Sequence, residues 1–299
     1  MSMDVFRTDA LAGKSILVTG GGSGLGKEIS KALAAKGAAI HICGRRAGVL
    51  DDAAKEIATR ALAPVRTHVC DIRDAEQVDK MMDAIWSDGA LTGLVNNAAA
   101  NFIAPTKDLS PRGFRAVTST VMDGSFHVTL AAGKRWIAGG IRGSVVSNLV
   151  TWVWTGSAFV VPSAMAKSAL HAMTMSLAVE WGPYGIRLNA TAPGPFPTES
   201  AWEKLNPIPD TRSSATNADT VPLRRFGHMQ ELQNLIVFLL SDGCDYLTGQ
   251  TIAIDGGQHL AGPGTFADLA ALTDEQWRAA RDAIQQSTQR DKANRAPGS

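Results

Sequence analysis

One short stretch restricts this chain more than any other: an apolar run that ends in a cluster of glycines and passes directly into a helical pattern. Ser15-Ile-Leu-Val-Thr19 reads as a buried strand, Gly20-Gly-Gly-Ser-Gly-Leu-Gly26 follows, and Lys27 to Lys36 has helical periodicity. Glycines allow a tight turn and a close backbone approach to a pyrophosphate, and the helix N-terminus adds free N–H groups and a positive dipole end. A glycine run alone is a weak signal. Placed between a strand and a helix it is expected to cradle a dinucleotide, with Gly20, Gly22, Ser23, Gly24, Leu25 and Gly26 as candidate cofactor-binding residues.

Further strand patterns fall at 39–43, 65–69, around Leu94, at 144–147, 186–190 and 251–254, with helical patterns at 111–138, 164–181 and 229–241 between them. Seven strands alternating with helices imply an α/β fold, a Rossmann-type doubly wound seven-stranded parallel sheet with right-handed crossovers. Its ligand crevice is expected at the strand C-terminal ends. No internal repeat or linker splits residues 1–299, so a single domain is expected. Residues 199–222, rich in Pro, Ser, Thr and Asn, read as a substrate-covering flap, and 262–299 as a C-terminal extension with a helix near 273–289.

Composition excludes several function classes. The formal net charge is +1, which gives no field favouring nucleic acid or an acidic membrane surface. No apolar run reaches the roughly 18 residues of a membrane helix. The few residues before the first strand leave no room for a signal or transit peptide, and the closing Arg-Ala-Pro-Gly-Ser is not a peroxisomal address, so a cytoplasmic protein is expected. Cys43, Cys70 and Cys244 lack CxxC spacing and read as buried free thiols in a reducing compartment. His68, His127 and His171 fall in strand or helix patterns that suit packing, and no His, Cys and carboxylate cluster has metal-ligand spacing.

The spacing Thr-Gly-x-x-x-Gly-x-Gly at Thr19 to Gly26 resembles the cofactor loop of the short-chain dehydrogenase/reductase family. Later stretches agree. The second strand ends in Gly44-Arg45-Arg46, where an NAD enzyme would place a carboxylate on the ribose 2′-hydroxyl. Arginine there accommodates a 2′-phosphate, which favours NADP(H). Asp71 and Ile72 resemble the family's adenine-contacting turn, and Asn97 and Ala98 match its Asn-Asn-Ala stretch along the cofactor. Pro193, Gly194 and Thr198 lie in a segment resembling Pro-Gly-x-x-x-Thr, whose threonine meets the nicotinamide carboxamide. The resemblance also implies a homo-oligomer, a dimer or tetramer, built on the helices at 111–138 and 164–181.

Asn96-Asn-Ala-Ala-Ala-Asn-Phe-Ile103, Phe159-Val-Val-Pro-Ser-Ala-Met-Ala-Lys167, Glu180-Trp-Gly-Pro-Tyr-Gly185 and Thr273-Asp-Glu-Gln-Trp277 resemble one branch of the family, the NADP-dependent 2,4-dienoyl-CoA reductases of fatty-acid β-oxidation. In that branch a serine in Ser-x-x-x-Lys stands where other members carry the catalytic tyrosine, and an earlier tyrosine works with an asparagine on the thioester oxygen. By position Ser163, Lys167 and Asn101 match the serine, lysine and asparagine. The tyrosine position falls on Trp152, and the family's usual serine after the fifth strand on Val150, with Thr151 the nearest hydroxyl.

The substrate implied by the resemblance is an acyl-CoA, reduced by hydride transfer from NADPH. Hydride addition to a dienoyl thioester pushes charge onto the thioester oxygen, which Asn101 and the Lys167 charge would stabilise. An indole N–H donates a hydrogen bond but releases no proton near neutral pH, and Tyr184 and Tyr246, the chain's two tyrosines, do not fit the catalytic place. Reducing a ketone needs an acid on oxygen. In a dienoyl thioester the proton lands on carbon and can come from water, so Trp152 weighs more against carbonyl reduction than against conjugate reduction. A reductase or dehydrogenase of carbonyls or alcohols, and a catalytically impaired NADP-binding homologue, are the competing readings. A Ser-Lys hydrolase lacks the Ser-x-x-Lys spacing and leaves the dinucleotide loop without a role.

Overall fold

Alternation along the first strand decides the layering. In β1 (Ser15–Thr19), Ile16 and Val18 face one side of the sheet and Leu17 the other, and all three are buried. Ile16 and Val18 join Ile40 and Ile42 of β2 (Ala39–Gly44) under α1 (Gly24–Ala34), α2 (Ala47–Ala58) and α8 (Met229–Leu240). Leu17 and Cys43 join the opposite core, covered by α3 (Ala75–Asp88) and α5 (Gly124–Gly139). Each fully buried aliphatic side chain contributes about 1.5–3 kcal/mol.

The computed structural model describes residues 5–101, 103–197, 217–262, 273–276 and 278–279. With β3 (Val65–Val69), β4 (Gly93–Asn96), β5 (Gly143–Asn148), β6 (Ile186–Pro193) and β7 (Thr251–Ile254), the sheet is seven-stranded, in the order β3-β2-β1-β4-β5-β6-β7. Every neighbouring pair is parallel. The order reverses at β1, which lies between β2 and β4, so the crevice opens beyond the C-terminal ends of β1 and β4. β4, β5 and β6 are buried along their full length, as interior parallel strands covered on both faces must be.

Local chemistry sets the helix ends. Asp74 caps α3 by accepting from the Glu76 and Gln77 amides. Ser110 caps α4 (Pro111–Thr118) by accepting from Gly113, and Gly140, at φ 62, closes α5. The helical pattern expected as one unit over 111–138 is broken by a π turn at Ser119–Asp123. Thr118, Ser119 and Thr120 each turn a hydroxyl back onto the carbonyl four residues earlier, competing with the backbone ladder where it widens. α7 (Val161–Trp181) begins three residues before the expected start, so Ser163 as well as Lys167 lies inside it. β6 likewise runs past Ala190 to Pro193, because Pro193 still pairs with Ile254.

The chain divides into a compact unit, Met1–His259, and a second unit, Leu260–Ser299. Of the expected flap only 217–222 is described, as a tight turn at Ala218–Thr220. In the expected C-terminal helix, Thr273 and Gln276 exchange hydrogen bonds from backbone N–H to side-chain oxygen, and 274–276 are helical. The rest of both segments lies outside the described residues. Among those described, no helix is long and apolar enough to cross a membrane.

Candidate active site

The glycine loop occupies the switch point. Gly20 has φ +65, and a Cβ there would lie 3.0 Å from Ala98 Cα. One at Gly22 would meet Val49 Cγ1 at 3.2 Å, and one at Gly26 would run into the Gly20 carbonyl and Asn97 Nδ2. Gly24, at φ +52, starts α1, and Ser23 supplies its N-cap backbone without a side-chain cap. The first-turn amides of α1, from Gly24 and Leu25 onward, are therefore at the mouth of the crevice with no carboxylate competing for them. A loop that leaves no room for a side chain at Gly26 and holds Gly20 in the left-handed region fits a dinucleotide pyrophosphate.

Behind the loop, buried polar groups and the half-buried Asn97 join four strand ends. Thr19 Oγ1 accepts from the Asn97 and Ala98 amides, both at 3.0 Å, and donates to the Val95 carbonyl at 3.3 Å. Asn97 Nδ2 donates to the Thr19 carbonyl, and Asn97 Oδ1 accepts from Asn148 Nδ2 at 3.1 Å. Asn148 Oδ1 accepts from Thr191 Oγ1 at 3.2 Å, and the Asn148 carbonyl accepts from Lys167 Nζ. The network thus runs from β1 through the ends of β4 and β5 to β6 and α7. Thr19 entered the expected site only as the first residue of the cofactor-loop spacing, and Asn148 and Thr191 were missing from it. Their signal in the sequence was only a polar residue near the end of an apolar strand.

Lys167 is 5% exposed and Ser163, one turn earlier, 4%. Ala166, Leu170, Val121 and Leu149 form the apolar cluster next to this face of α7. Burial holds the Lys167 ammonium down to about 8. A lysine in this state is charged at neutral pH yet close to releasing its proton, and its Nζ–H bond to the Asn148 carbonyl fixes where the charge sits.

Trp152 opens α6 (Trp152–Thr155), a single turn after β5, and is half-buried, while Trp154 is exposed. Val150 is half-buried and Thr151 buried just before it. Asn101 lies on the loop after β4, and its Oδ1 is buried without a hydrogen-bond partner among the described residues. That loop is tied to the segment before α7 by the Ala104 amide, which donates to the Phe159 carbonyl at 2.9 Å. Phe159 has φ 64, an unusual conformation for an aromatic residue and one that marks the loop as held from outside. Neighbouring Phe102 lies outside the described residues.

At the other end of the crevice Arg45 and Arg46 are exposed where β2 leads into α2. Asp71 follows β3, its carboxylate gripped by the Arg73 guanidinium at 2.9 and 2.5 Å. Arg73 is the main cause, and the Arg45 charge a lesser one, of the lowering of that carboxyl below the ordinary aspartate range. Ile72 is buried, its carbonyl 3.1 Å from His127 Nδ1. Pro193 ends β6, and the Gly194 amide donates to the Ile254 carbonyl at 3.0 Å. A Cβ at Gly194 would lie 2.7 Å from Asp255 Cβ, so only glycine lets this segment lie against β7. Thr198 lies outside the described residues.

Comparison with known proteins places the chain in a family. Residues 20–259 match the family model described as enoyl-(acyl carrier protein) reductase. A probable 2,4-dienoyl-CoA reductase of Bacillus subtilis is 39% identical over 83% of this chain and 97% of its own length. A short-chain dehydrogenase from Bacillus anthracis superposes with a TM-score of 0.74 at 38% identity, covering 82% of this chain and 96% of the other. A gluconate 5-dehydrogenase from Burkholderia cenocepacia, solved with NADP and tartrate, gives 0.76 at 30% identity, with 84% and 97% covered. With its parallel sheet, its glycine loop at the switch point and its buried lysine, this chain belongs to the short-chain dehydrogenase/reductase family of oxidoreductases, whose members use a nicotinamide dinucleotide.

Proposed function

We propose that the protein is an NADPH-dependent reductase of conjugated 2,4-dienoyl thioesters, with CoA as the carrier. The observation that supports this best is the combination at one site of a buried ammonium, Lys167, with an indole, Trp152, in place of a phenol acid. Such a site has a fixed positive charge to stabilise developing negative charge and no phenol in the tyrosine's place, which suits conjugate reduction, where the proton lands on carbon, better than ketone reduction. The name of the Bacillus subtilis relative points the same way.

When bound, the cofactor supplies hydride from C4 of its nicotinamide. The glycine loop and the α1 N-terminus hold its pyrophosphate, Arg45 and Arg46 its 2′-phosphate, and Asp71 and Ile72 its adenine. Pro193, Gly194 and Thr198 hold the carboxamide end. Lys167 hydrogen-bonds the nicotinamide ribose and places its charge near the reacting carbons, and Ser163 fixes the nicotinamide or substrate. Asn101 donates its amide N–H to the thioester oxygen beside the Trp152 indole N–H. Removing one such donor costs about 10²–10³ in rate. A homo-oligomer in the cytoplasm acting on free acyl-CoA completes the proposal.

The test is NADPH oxidation by purified protein with a 2,4-dienoyl-CoA, a simple enoyl-CoA and a ketone. Turnover of the dienoyl-CoA at least tenfold faster than of the other two is expected. A second reading, a homologue that binds NADP(H) without turning over, is favoured by the absence of hydroxyl acids at positions 150 and 152. NADPH binding with no oxidation by any thioester would establish it in place of the first.

A further inference from the structure

We infer that His259 is a positioning residue of this site: with Asp255 it ties the Pro193–Gly194 segment to the single helical turn that carries Trp152. The inference rests on the reading of Trp152 as part of the site, and it deepens that reading.

α6 cannot hold its own orientation. It has four residues and no side-chain cap, and it stops at Gly156, at φ 67. So short a helix is far below the length at which a helix is stable by itself, so packing must place it. Inside, Val153 packs on the apolar cluster of Val117, Val121 and Leu149. Outside, Trp154 is flanked by two imidazoles. His259 lies over it, with ring centroids 5.0 Å apart and planes at 32°, and His171 meets it edge-on at 6.2 Å and 77°. His171 is itself fixed, its Nδ1 2.9 Å from Thr251 Oγ1 of β7.

His259 is held more firmly still. The Asp255 side chain is only 4% exposed, and its Oδ2 accepts from the His259 amide at 2.8 Å and from His259 Nδ1 at 2.7 Å. Its other oxygen accepts from the Gly257 amide at 2.9 Å. The carboxylate thus sets both the backbone and the ring of His259, with Nδ1 carrying the proton. Asp255 is also the residue against which Gly194 packs, since a Cβ on Gly194 would come within 2.8 Å of Asp255 Cα. One chain of contacts therefore runs from Gly194 through Asp255 and His259 to Trp154, two residues from Trp152. It joins the segment after β6 to the segment after β5, the two that must agree for a nicotinamide and a thioester oxygen to meet.

The experiment compares His259→Ala, which loses stack and hydrogen bond, with His259→Phe, which keeps a flat ring. Hydrogen exchange is read at the Trp154 and Gly156 amides, which bond to the Thr151 and Trp152 carbonyls, with β1 and β4 amides as the folding control. Exchange at Trp154 and Gly156 should accelerate about tenfold in His259→Ala and less than twofold in His259→Phe, with β1 and β4 unchanged. In dienoyl-CoA reduction His259→Ala should lower kcat at least fivefold while the KM for NADPH stays within twofold, and His259→Phe should restore most of kcat. Should His259→Ala not fold, Trp154→Leu removes the same stack and is read in the same way. Unchanged exchange in the alanine variant, or a kcat that Phe does not restore, overturns the inference. An inactive parent whose His259→Ala variant still exchanges faster rejects the proposed reaction and supports the tie.

Discussion

Raising the pH above 8 should push activity and stability in opposite directions, because both depend on one buried ammonium. Burial lowers Lys167 from the ordinary lysine value to about 8, against about 10.4 in an unfolded chain. Below pH 8 the lysine is protonated in both states, and the folded protein bears the full cost of the buried charge, about 3 kcal/mol at 1.36 kcal/mol per unit. Between about 8 and 10.4 the unfolded chain binds a proton that the folded one does not, so stability rises with pH in that window. The charge that serves the reaction is lost in the same window. The protonated fraction falls from about nine-tenths at pH 7 to about one-tenth at pH 9, so kcat/KM for dienoyl-CoA should drop roughly tenfold. Urea midpoints of the parent and Lys167→Met at pH 7 and pH 10 isolate the stability effect. The methionine variant also leaves the Asn148 carbonyl unpaired, at about 1–3 kcal/mol, but that cost is the same at both pH values. The parent should therefore gain about 2–3 kcal/mol on the variant between pH 7 and 10. A difference below about 0.5 kcal/mol, or a kcat/KM flat to pH 9.5 in an active parent, would refute the argument.

Other perturbations follow from the same contacts. Trp152→Tyr restores a phenol at the site and should raise dienoyl-CoA reduction at least tenfold; an unchanged rate in an active parent would remove Trp152 from that place. Arg45→Ala with Arg46→Ala should cut the preference for NADPH over NADH by at least tenfold, read from the two kcat/KM values. His41 is buried beside His68, with Nδ1 and Nε2 2.9 Å apart, and burial first, then the His68 and Arg66 charges, lower it to about 4. Here the unfolded chain binds the extra proton between pH 4 and 6.5, so stability should fall as the pH drops through that range, by up to about 3 kcal/mol. Urea midpoints at pH 7 and 5 should show His41→Gln flattening the loss. Gly124→Ala would place a Cβ 2.6 Å from Ile72 Cγ1; it should cost about 1–2 kcal/mol after the better helix propensity is counted, and weaken NADPH binding through the adenine turn.

Much of the framework was readable because it rests on local rules. The strand, glycine loop and helix at 15–36 are specified within a few neighbours, and β1 and α1 fall where the pattern put them, apart from a helix that runs Gly24–Ala34 instead of Lys27 to Lys36. The helix break at Ser119–Asp123 was not readable, since three hydroxyl residues in a row compete with the ladder only when their rotamers turn inward. Asn101 was visible through a family resemblance, yet that its Oδ1 is buried without a partner among the described residues is a property of the folded loop. Asn148 went unnoticed for the opposite reason: a lone asparagine closing a strand looks like any other until Asn97, Thr191 and Lys167 converge on it.

By itself the sequence determined the parallel α/β sheet, the place of the dinucleotide loop and the one-turn spacing of Ser163 and Lys167. These follow from period, glycine and helix geometry, which act over a few residues. Tertiary structure alone decided that Lys167 is buried on the Asn148 carbonyl and that its pKa is therefore lowered, because desolvation depends on which apolar residues pack around a group. It alone decided that Asp255 and His259, some 90 residues beyond Lys167 in the chain, reach back to the turn that carries Trp152. Contacts between the ends of different strands exist only once the sheet is assembled, and no local pattern encodes them.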